Sequence, residues 1–194
     1  MGRHTSIAIR MALVTIVVFG VIYPLVMTGI AQALFPRQAN GSLIREHGTV
    51  IGSELIGQQF TGPGYLHPRP SAAGEGYDAT SSGGSNLGPT SRALMEGVKS
   101  RADIVMRQNP NLTKGRIPVD MVTASGSGLD PDISVANAYA QAPRVAKARG
   151  LSDTSIRQLV DANTTGRTLG FLGEPRVNVL RINRALDILS GTIK

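Results

Sequence analysis

The chain has 194 residues, enough for one domain plus an extension, and 41% of them are hydrophobic while only 4% are aromatic, so its core must be aliphatic. It has no cysteine, which excludes disulfides, thiolate metal sites and cysteine catalysis. The formal net charge is +7, but the basic residues are scattered and stacking aromatics are few, which argues against a nucleic-acid interface.

From Met11 to Pro36 the sequence carries no charge and consists mostly of Val, Ile, Leu, Ala, Met and Phe. About 20 apolar residues cross a bilayer core, so a transmembrane helix is expected over 11–35. Ala31-Gln32-Ala33 looks like a signal-peptidase site. The run is nevertheless longer than a signal h-region and continues past that site, so an uncleaved anchor is the better reading. Tyr23-Pro24 in its middle should kink the helix or loosen one backbone bond. Gly20 and Gly29 are small enough to let a neighbouring helix approach. Arg3, His4 and Arg10 precede the span and only Arg37 closely follows it. The positive-inside rule then places residues 1–10 in the cytoplasm and a single domain, 36–194, outside.

Gln38 to Ile44 reads as a turn leaving the membrane, and Val50 to Phe60 as a strand with a bend. Residues 61–90 are too rich in Gly, Pro and Ser for regular structure, while Tyr65, Leu66, Tyr77 and Leu87 argue for a loop pinned to the domain. A helix is expected over Ser91 to Gln108, capped by Thr90. Pro118 to Thr123 reads as a short strand and Ser125 to Asp132 as a turn. Helices follow over Ser134 to Arg149, ended by Gly150, and over Asp153 to Asn163, capped by Ser152. A glycine-flanked turn at Leu169 to Glu174 precedes a last amphipathic helix, Val177 to Leu189. The fold class is α+β: one N-terminal transmembrane helix followed by a mixed α/β extracytoplasmic domain.

No phosphate-binding P-loop, no Asp-Lys-Thr-Gly phosphorylation sequence and no carbonyl filter occurs in the sequence. Ser82, Gly83, Gly84, Ser85, Asn86, Leu87 and Gly88 form a glycine-rich segment whose N–H groups could cradle an anion, against the plainer reading of an ordered turn. Ser125-Gly126-Ser127-Gly128 invites a serine nucleophile but does not match the G-x-S-x-G elbow, and the only bases on that side would be His47 and His67. His67-Pro68-Arg69-Pro70 is stiffened by its prolines, with Arg69 available to a partner or a loop carbonyl. No catalytic or metal-ligating set emerges.

Taken together, several segments are similar to one family. These are Tyr23-Pro24-Leu25-Val26-Met27-Thr28-Gly29-Ile30-Ala31-Gln32, Gln38-Ala39-Asn40-Gly41-Ser42-Leu43, His67-Pro68-Arg69-Pro70-Ser71-Ala72-Ala73-Gly74, Gly84-Ser85-Asn86-Leu87-Gly88-Pro89, Thr123-Ala124-Ser125-Gly126-Ser127-Gly128-Leu129-Asp130-Pro131 and Gly173-Glu174-Pro175-Arg176-Val177-Asn178-Val179-Leu180. In collinear order they resemble the KdpC family, departing at Met27 and Asp78. The resemblance implies a non-catalytic accessory subunit of an ATP-driven potassium importer in the cell inner membrane. It implies two partners, a channel-like potassium-binding subunit and a P-type ATP-hydrolysing subunit, and a catalytic-chaperone role that raises the pump subunit's ATP affinity. No cofactor of its own is expected; ATP would act through the pump subunit, and potassium is the ion the complex carries. Nucleotide or partner binding would fall on Ser82 to Gly88, and partner contacts on Gly20, Tyr23, Pro24, Gly29, His67 and Arg69. A membrane-anchored nucleotide-binding or hydrolase domain is the alternative.

Overall fold

The computed structural model describes residues 2–46 and 48–191. Helix begins at Gly2, ahead of the uncharged run, and continues to Leu34, so 33 residues form one apolar helical rod. Along it α1 (Gly2–Thr15) passes into a π-helical segment, Ile16–Ile22, and then into α2 (Tyr23–Leu34). Pro24 has no N–H to give to residue 20, and its ring would press on that carbonyl in a regular α-helix. The ladder responds one turn earlier: the Tyr23 N–H bonds the Val18 carbonyl, five residues back. The loosened bond expected at Tyr23-Pro24 is therefore a whole π segment.

Phe35 leaves helical geometry, and Pro36 starts a single turn, α3 (Pro36–Ala39). Gln32, the one strongly polar side chain of the span, accepts a hydrogen bond from the Asn40 amide at 3.0 Å. β1 (Leu43–Glu46) then pairs with β2 (Thr49–Ser53). The strand expected over Val50 to Phe60 stops at Ser53, because the Ser53 hydroxyl accepts from Leu55 N and turns the chain. Beyond it, Gly57 N donates to Leu129 O at 2.7 Å. The chain separates into two units, 1–51 and 52–194.

In the second unit a three-stranded antiparallel sheet has the order β3-β5-β4. Its strands are β3 (Asp132–Ser134), β4 (Thr164–Thr165) and β5 (Arg176–Asn178), with Ile133 opposite Val177 and Thr164 also opposite Val177. β3 and β5 run directly into helices, and β4 follows one after a single residue. The Ser134 hydroxyl caps α5 (Val135–Arg149) by accepting from Asn137 N, and the Asn178 side chain caps α7 (Val179–Leu189) through Arg181 N. Gly150 ends α5 with φ of 66°, and Ser152 caps α6 (Asp153–Ala162). These caps explain why the expected helix ends lie within two residues of the observed ones, except that β3 and β5 take residues assigned to helix or turn.

The main core lies where α5, α6 and α7 meet the sheet, around Ile133, Val145, Ile156, Val177, Ile182 and Leu186. A second cluster packs α4 (Arg92–Gln108) through Ala102 and Val105 against Met121 and Val122. α4 is capped by Ser91 rather than Thr90. The strand expected at Pro118 to Thr123 is instead a 3-10 turn, Val119–Met121, because Met121 N bonds Pro118 O and Val122 N bonds Val119 O. That turn buries Asp120, Met121 and Val122 together, which a strand with one face in solvent would not do.

Candidate functional site

The long loop 61–90 is ordered, and side chains from the helices beneath it hold its main chain. Leu66 is completely buried, and Asn183 on α7 clamps its peptide: Leu66 N donates to Asn183 Oδ1 at 2.8 Å, and Asn183 Nδ2 donates to Leu66 O at 2.9 Å. Gln141 on α5 does the same for His67, at 2.8 Å and 2.9 Å. Two buried amides thus take the place of a neighbouring strand, satisfying a backbone that has no sheet to join. Two arginines take the preceding carbonyls. Arg144 donates to Pro63 O and Tyr65 O, and Arg149 donates to Gly64 O while lying 4.7 Å from the Tyr65 ring centroid.

Behind Gln141 runs a buried polar relay. Gln141 Nε2 also donates to Asn137 Oδ1 at 2.7 Å, and Asn137 Nδ2 donates to Asp120 Oδ2 at 2.9 Å. Asp120 further accepts from Ser134 N at 2.8 Å and from the Ser134 hydroxyl at 3.0 Å. The 3-10 turn, the α5 cap and the His67 peptide are therefore one connected network.

Past His67 the loop is pinned by charge. Arg69 Nη1 lies 2.9 Å from Asp130 Oδ2 and its Nη2 donates to Ala124 O, so Arg69 ties the His-Pro-Arg-Pro segment to the 124–130 turn. The Tyr77 hydroxyl donates to Arg69 O. Burial, with Asp130's charge adding to it, holds that phenol well above its usual range, so it stays a donor. A cavity of about 440 Å³ opens here, lined by His67, Arg69, Tyr77, Arg101 and Gln108 among others.

The two glycine and serine motifs, far apart in sequence, lie side by side. Gly83 N and the Ser82 hydroxyl both donate to Ser127 O at 2.9 Å. Gly128 has φ of 68°, and a Cβ there would sit 2.6 Å from both Ala73 N and Gly83 O, so three loop strands converge on a point that admits no side chain. A Cβ on Gly84 would lie 2.9 Å from Gly126 O. Gly83's N–H, one of those expected to cradle an anion, is thereby occupied. Ser85, Asn86, Leu87 and Gly88 emerge from this junction exposed. Ser127's hydroxyl accepts from Leu129 N, and Ser125 is buried, so both serines have structural duties.

His67 has its Nε2 3.0 Å from Gly62 O. Burial first, and Arg144's charge second, lower its pKa below the ordinary 6.5, so the folded protein favours the neutral ring. Arg144 is itself pushed down to about 10 by burial and stays charged at neutral pH. Between the two His67 values the unfolded chain binds the extra proton, so stability is full above about pH 6.5 and declines below it. We expect the melting temperature to fall more steeply between about pH 7.5 and 5 in the wild type than in His67→Gln; parallel profiles would exclude His67 as the cause. His47, the other histidine considered as a base, lies outside the described residues.

In the helical rod Gly20 lies within the π segment and Gly29 within α2, nine positions on, so the half turn that an α-helix would put between them is shifted by the wider π turn. A Cβ on Gly29 would meet nothing within 4 Å. Tyr23 and Pro24 sit at the start of α2, where the π segment ends, and Tyr23 is exposed.

Comparison with known proteins gives a consistent result. The model of the KdpC family, K+-transporting ATPase c chains, matches residues 5–188. A potassium-transporting ATPase KdpC subunit of Acidobacterium capsulatum is 58% identical over 95% of this chain and 98% of its own. Those of Caulobacter sp. (strain K31) and Mycobacterium tuberculosis are 55% and 53% identical over 96% and 97% of this chain, and over 94% and all of their own length.

Proposed function

The chain belongs to the KdpC family, so it is a subunit of a K+-transporting ATPase complex in a membrane, and from that premise we propose that it acts as a non-catalytic assembly and regulatory subunit. The observation that carries this reading is the contrast within loop 61–90: its base is clamped by buried side chains while 85–90 stands exposed. A solvent-facing edge carried on an anchored base loses less entropy on docking than a free loop would, which suits a protein partner. The partners are the channel-like potassium-binding subunit and the P-type ATP-hydrolysing subunit. The helical rod crosses the membrane with residues 1–10 cytoplasmic, and residues 36–194 lie outside with the loop over the channel-like subunit. Gly20, within the π segment, and Gly29, within α2, are each small enough to allow a partner helix to approach closely.

The effect on ATP affinity is indirect in this reading. The domain binds one state of the complex better than another, and nucleotide affinity follows by linkage. Direct ATP contact is disfavoured because Gly83 N–H is spent on Ser127 O. The outside location of the domain also separates it from cytoplasmic ATP.

The test is co-purification of the tagged full-length chain from membranes. The wild-type chain should elute with both partner subunits. Leu87 is exposed, so Leu87→Arg should leave the fold intact while weakening capture by about tenfold or more, since a charge buried at an interface costs at least about 1.4 kcal/mol. Elution of the wild type alone, or undiminished capture by Leu87→Arg, would reject the reading.

A further inference from the structure

Between β4 and β5 the chain makes a tight hairpin, Arg167 to Glu174, whose tip is among the most exposed apolar features of the second unit. Leu169 is 79% exposed, Phe171 68% and Leu172 48%. Single exposed leucines are unremarkable, but three bulky apolar groups on one turn are not. Leu169 adopts φ of 55°, a region that side-chain-bearing residues normally avoid, so the apex keeps its shape against a local cost.

The hairpin is also rigid and electrically quiet. Arg167 Nη2 grips both Glu174 carboxylate oxygens, at 3.0 Å and 2.8 Å, and so closes the neck. Within the tip, Thr168 N and Leu172 N exchange hydrogen bonds with each other's carbonyls, Gly170 N bonds Arg167 O and Phe171 N bonds Thr168 O. Most of the tip's N–H groups are thus satisfied internally. That property matters little in water and a great deal in hydrocarbon, where an unpaired backbone group is costly. Between Arg167 and Glu174 the side chains offer one hydroxyl and otherwise only Leu, Phe and Leu. Such a surface has little with which to recognise a specific polar partner, yet it matches the acyl boundary of a bilayer.

Covalent structure keeps lipid within range. The second unit begins at Gly52, eighteen residues after the rod ends at Leu34, and even fully extended chain of that length reaches only about 60 Å. The domain can never leave the neighbourhood of the membrane that holds its helix.

From these observations we infer that the Leu169-Gly170-Phe171-Leu172 tip is a second membrane contact, inserting shallowly into the lipid interface beside the transmembrane anchor. Because the neighbouring arginines are already paired, Arg167 with Glu174 and Arg176 with Asp132, insertion is driven by the apolar tip and needs no anionic lipid. The inference rests on the membrane span alone. It holds whichever side the domain occupies and whichever subunits bind loop 61–90.

The chain has no tryptophan, so Phe171→Trp introduces a single fluorescent reporter at the tip. The full-length variant, without other subunits, is reconstituted in phosphatidylcholine vesicles in which part of the lipid is brominated. The reporter indole should show blue-shifted emission and quenching, stronger with bromines near the carbonyl end of the acyl chain than at its terminus. Arg92→Trp, at a side chain 92% exposed, should show neither. Adding Leu169→Ser and Leu172→Ser to the Phe171→Trp variant should abolish the quenching while leaving far-ultraviolet circular dichroism unchanged. Unquenched, water-like emission from the tip reporter in the vesicles overturns the inference. If the emission then shifts only when the partner subunits are co-reconstituted, the tip is a protein-docking wedge instead.

Discussion

Replacing Arg149 with methionine should destabilise the domain by about 3–5 kcal/mol, because it strands a buried carboxylate. Arg149 and Asp187 are among the best-buried ion pairs described, 2.7 Å apart with side chains 9% and 14% exposed. The same guanidinium donates to Gly64 O at 2.5 Å and to Leu186 O at 3.2 Å. Methionine preserves much of the packing but supplies none of these donors, leaving Asp187 the Tyr65 hydroxyl at 3.2 Å in place of a guanidinium. In a domain of this size the change amounts to a melting temperature roughly 10 °C lower. Arg149→Lys should retain part of the stability, since an ammonium can face Asp187 but cannot span three acceptors. Limited proteolysis adds a local readout: cleavage within 61–66 should accelerate in Arg149→Met before global unfolding sets in. A melting temperature within about 2 °C of wild type would show that the ion pair contributes little beyond its own desolvation cost.

Asp120→Ala is the second large effect, and its reach is longer. Three donors converge on this carboxylate, and a charged acceptor is worth about 1.5–3 kcal/mol per bond. Allowing for partial rescue by water, the loss should be about 3–5 kcal/mol. The network predicts where the damage spreads. Freed from Asp120, the Asn137 amide loses the bond that fixes its orientation, and with it the oxygen offered to Gln141. Gln141 in turn is what holds the His67 peptide. Amide hydrogen exchange should therefore rise at His67, far away in sequence, while α6 remains protected. Asp120→Asn can still accept from Ser134 and Asn137 through its one oxygen, so it should lose less than half as much. Unchanged exchange at His67 would mean that the loop is held independently of the relay.

The contrast between these buried networks and the opening reading of the sequence shows which physics is local. Helices α5, α6 and α7 were legible because their signals are short-range: Ser152 before an apolar periodicity, Gly150 after one, Ile156 and Val160 a turn apart. The apolar rod was legible for the same reason. The three-stranded sheet was not, since strands of two or three residues are too short to show alternation, and β5 merges into the helix that follows it. Pro118 to Thr123 misled because valines and a methionine suggest a strand, whereas the buried Asp120 demanded a turn that aims one carboxylate at Ser134. In the candidate site, Tyr65, Leu66 and Tyr77 signalled an anchored loop, while Leu87, the fourth marker, is exposed and anchors nothing of it to the core. The loop's anchors were hidden, because Asn183, Gln141, Arg144 and Arg149 look like ordinary polar residues of amphipathic helices until the fold turns them inward. The apposition of Ser82-Gly83 with Ser127-Gly128 is likewise a product of tertiary structure, spanning 45 positions.

The π-helical segment bears on how the anchor can be mapped. Each of its turns takes up more residues than an α turn does, so the angular clock of the helix slips between Ile16 and Ile22. A helical wheel drawn from α2 backward through α1 assigns Ile7 or Leu13 to the wrong azimuth. Cysteine accessibility or crosslinking along the rod should follow one rhythm over residues 23–34 and another, offset one, over 2–15. The two halves of a single continuous anchor can therefore turn their corresponding sides toward different neighbours.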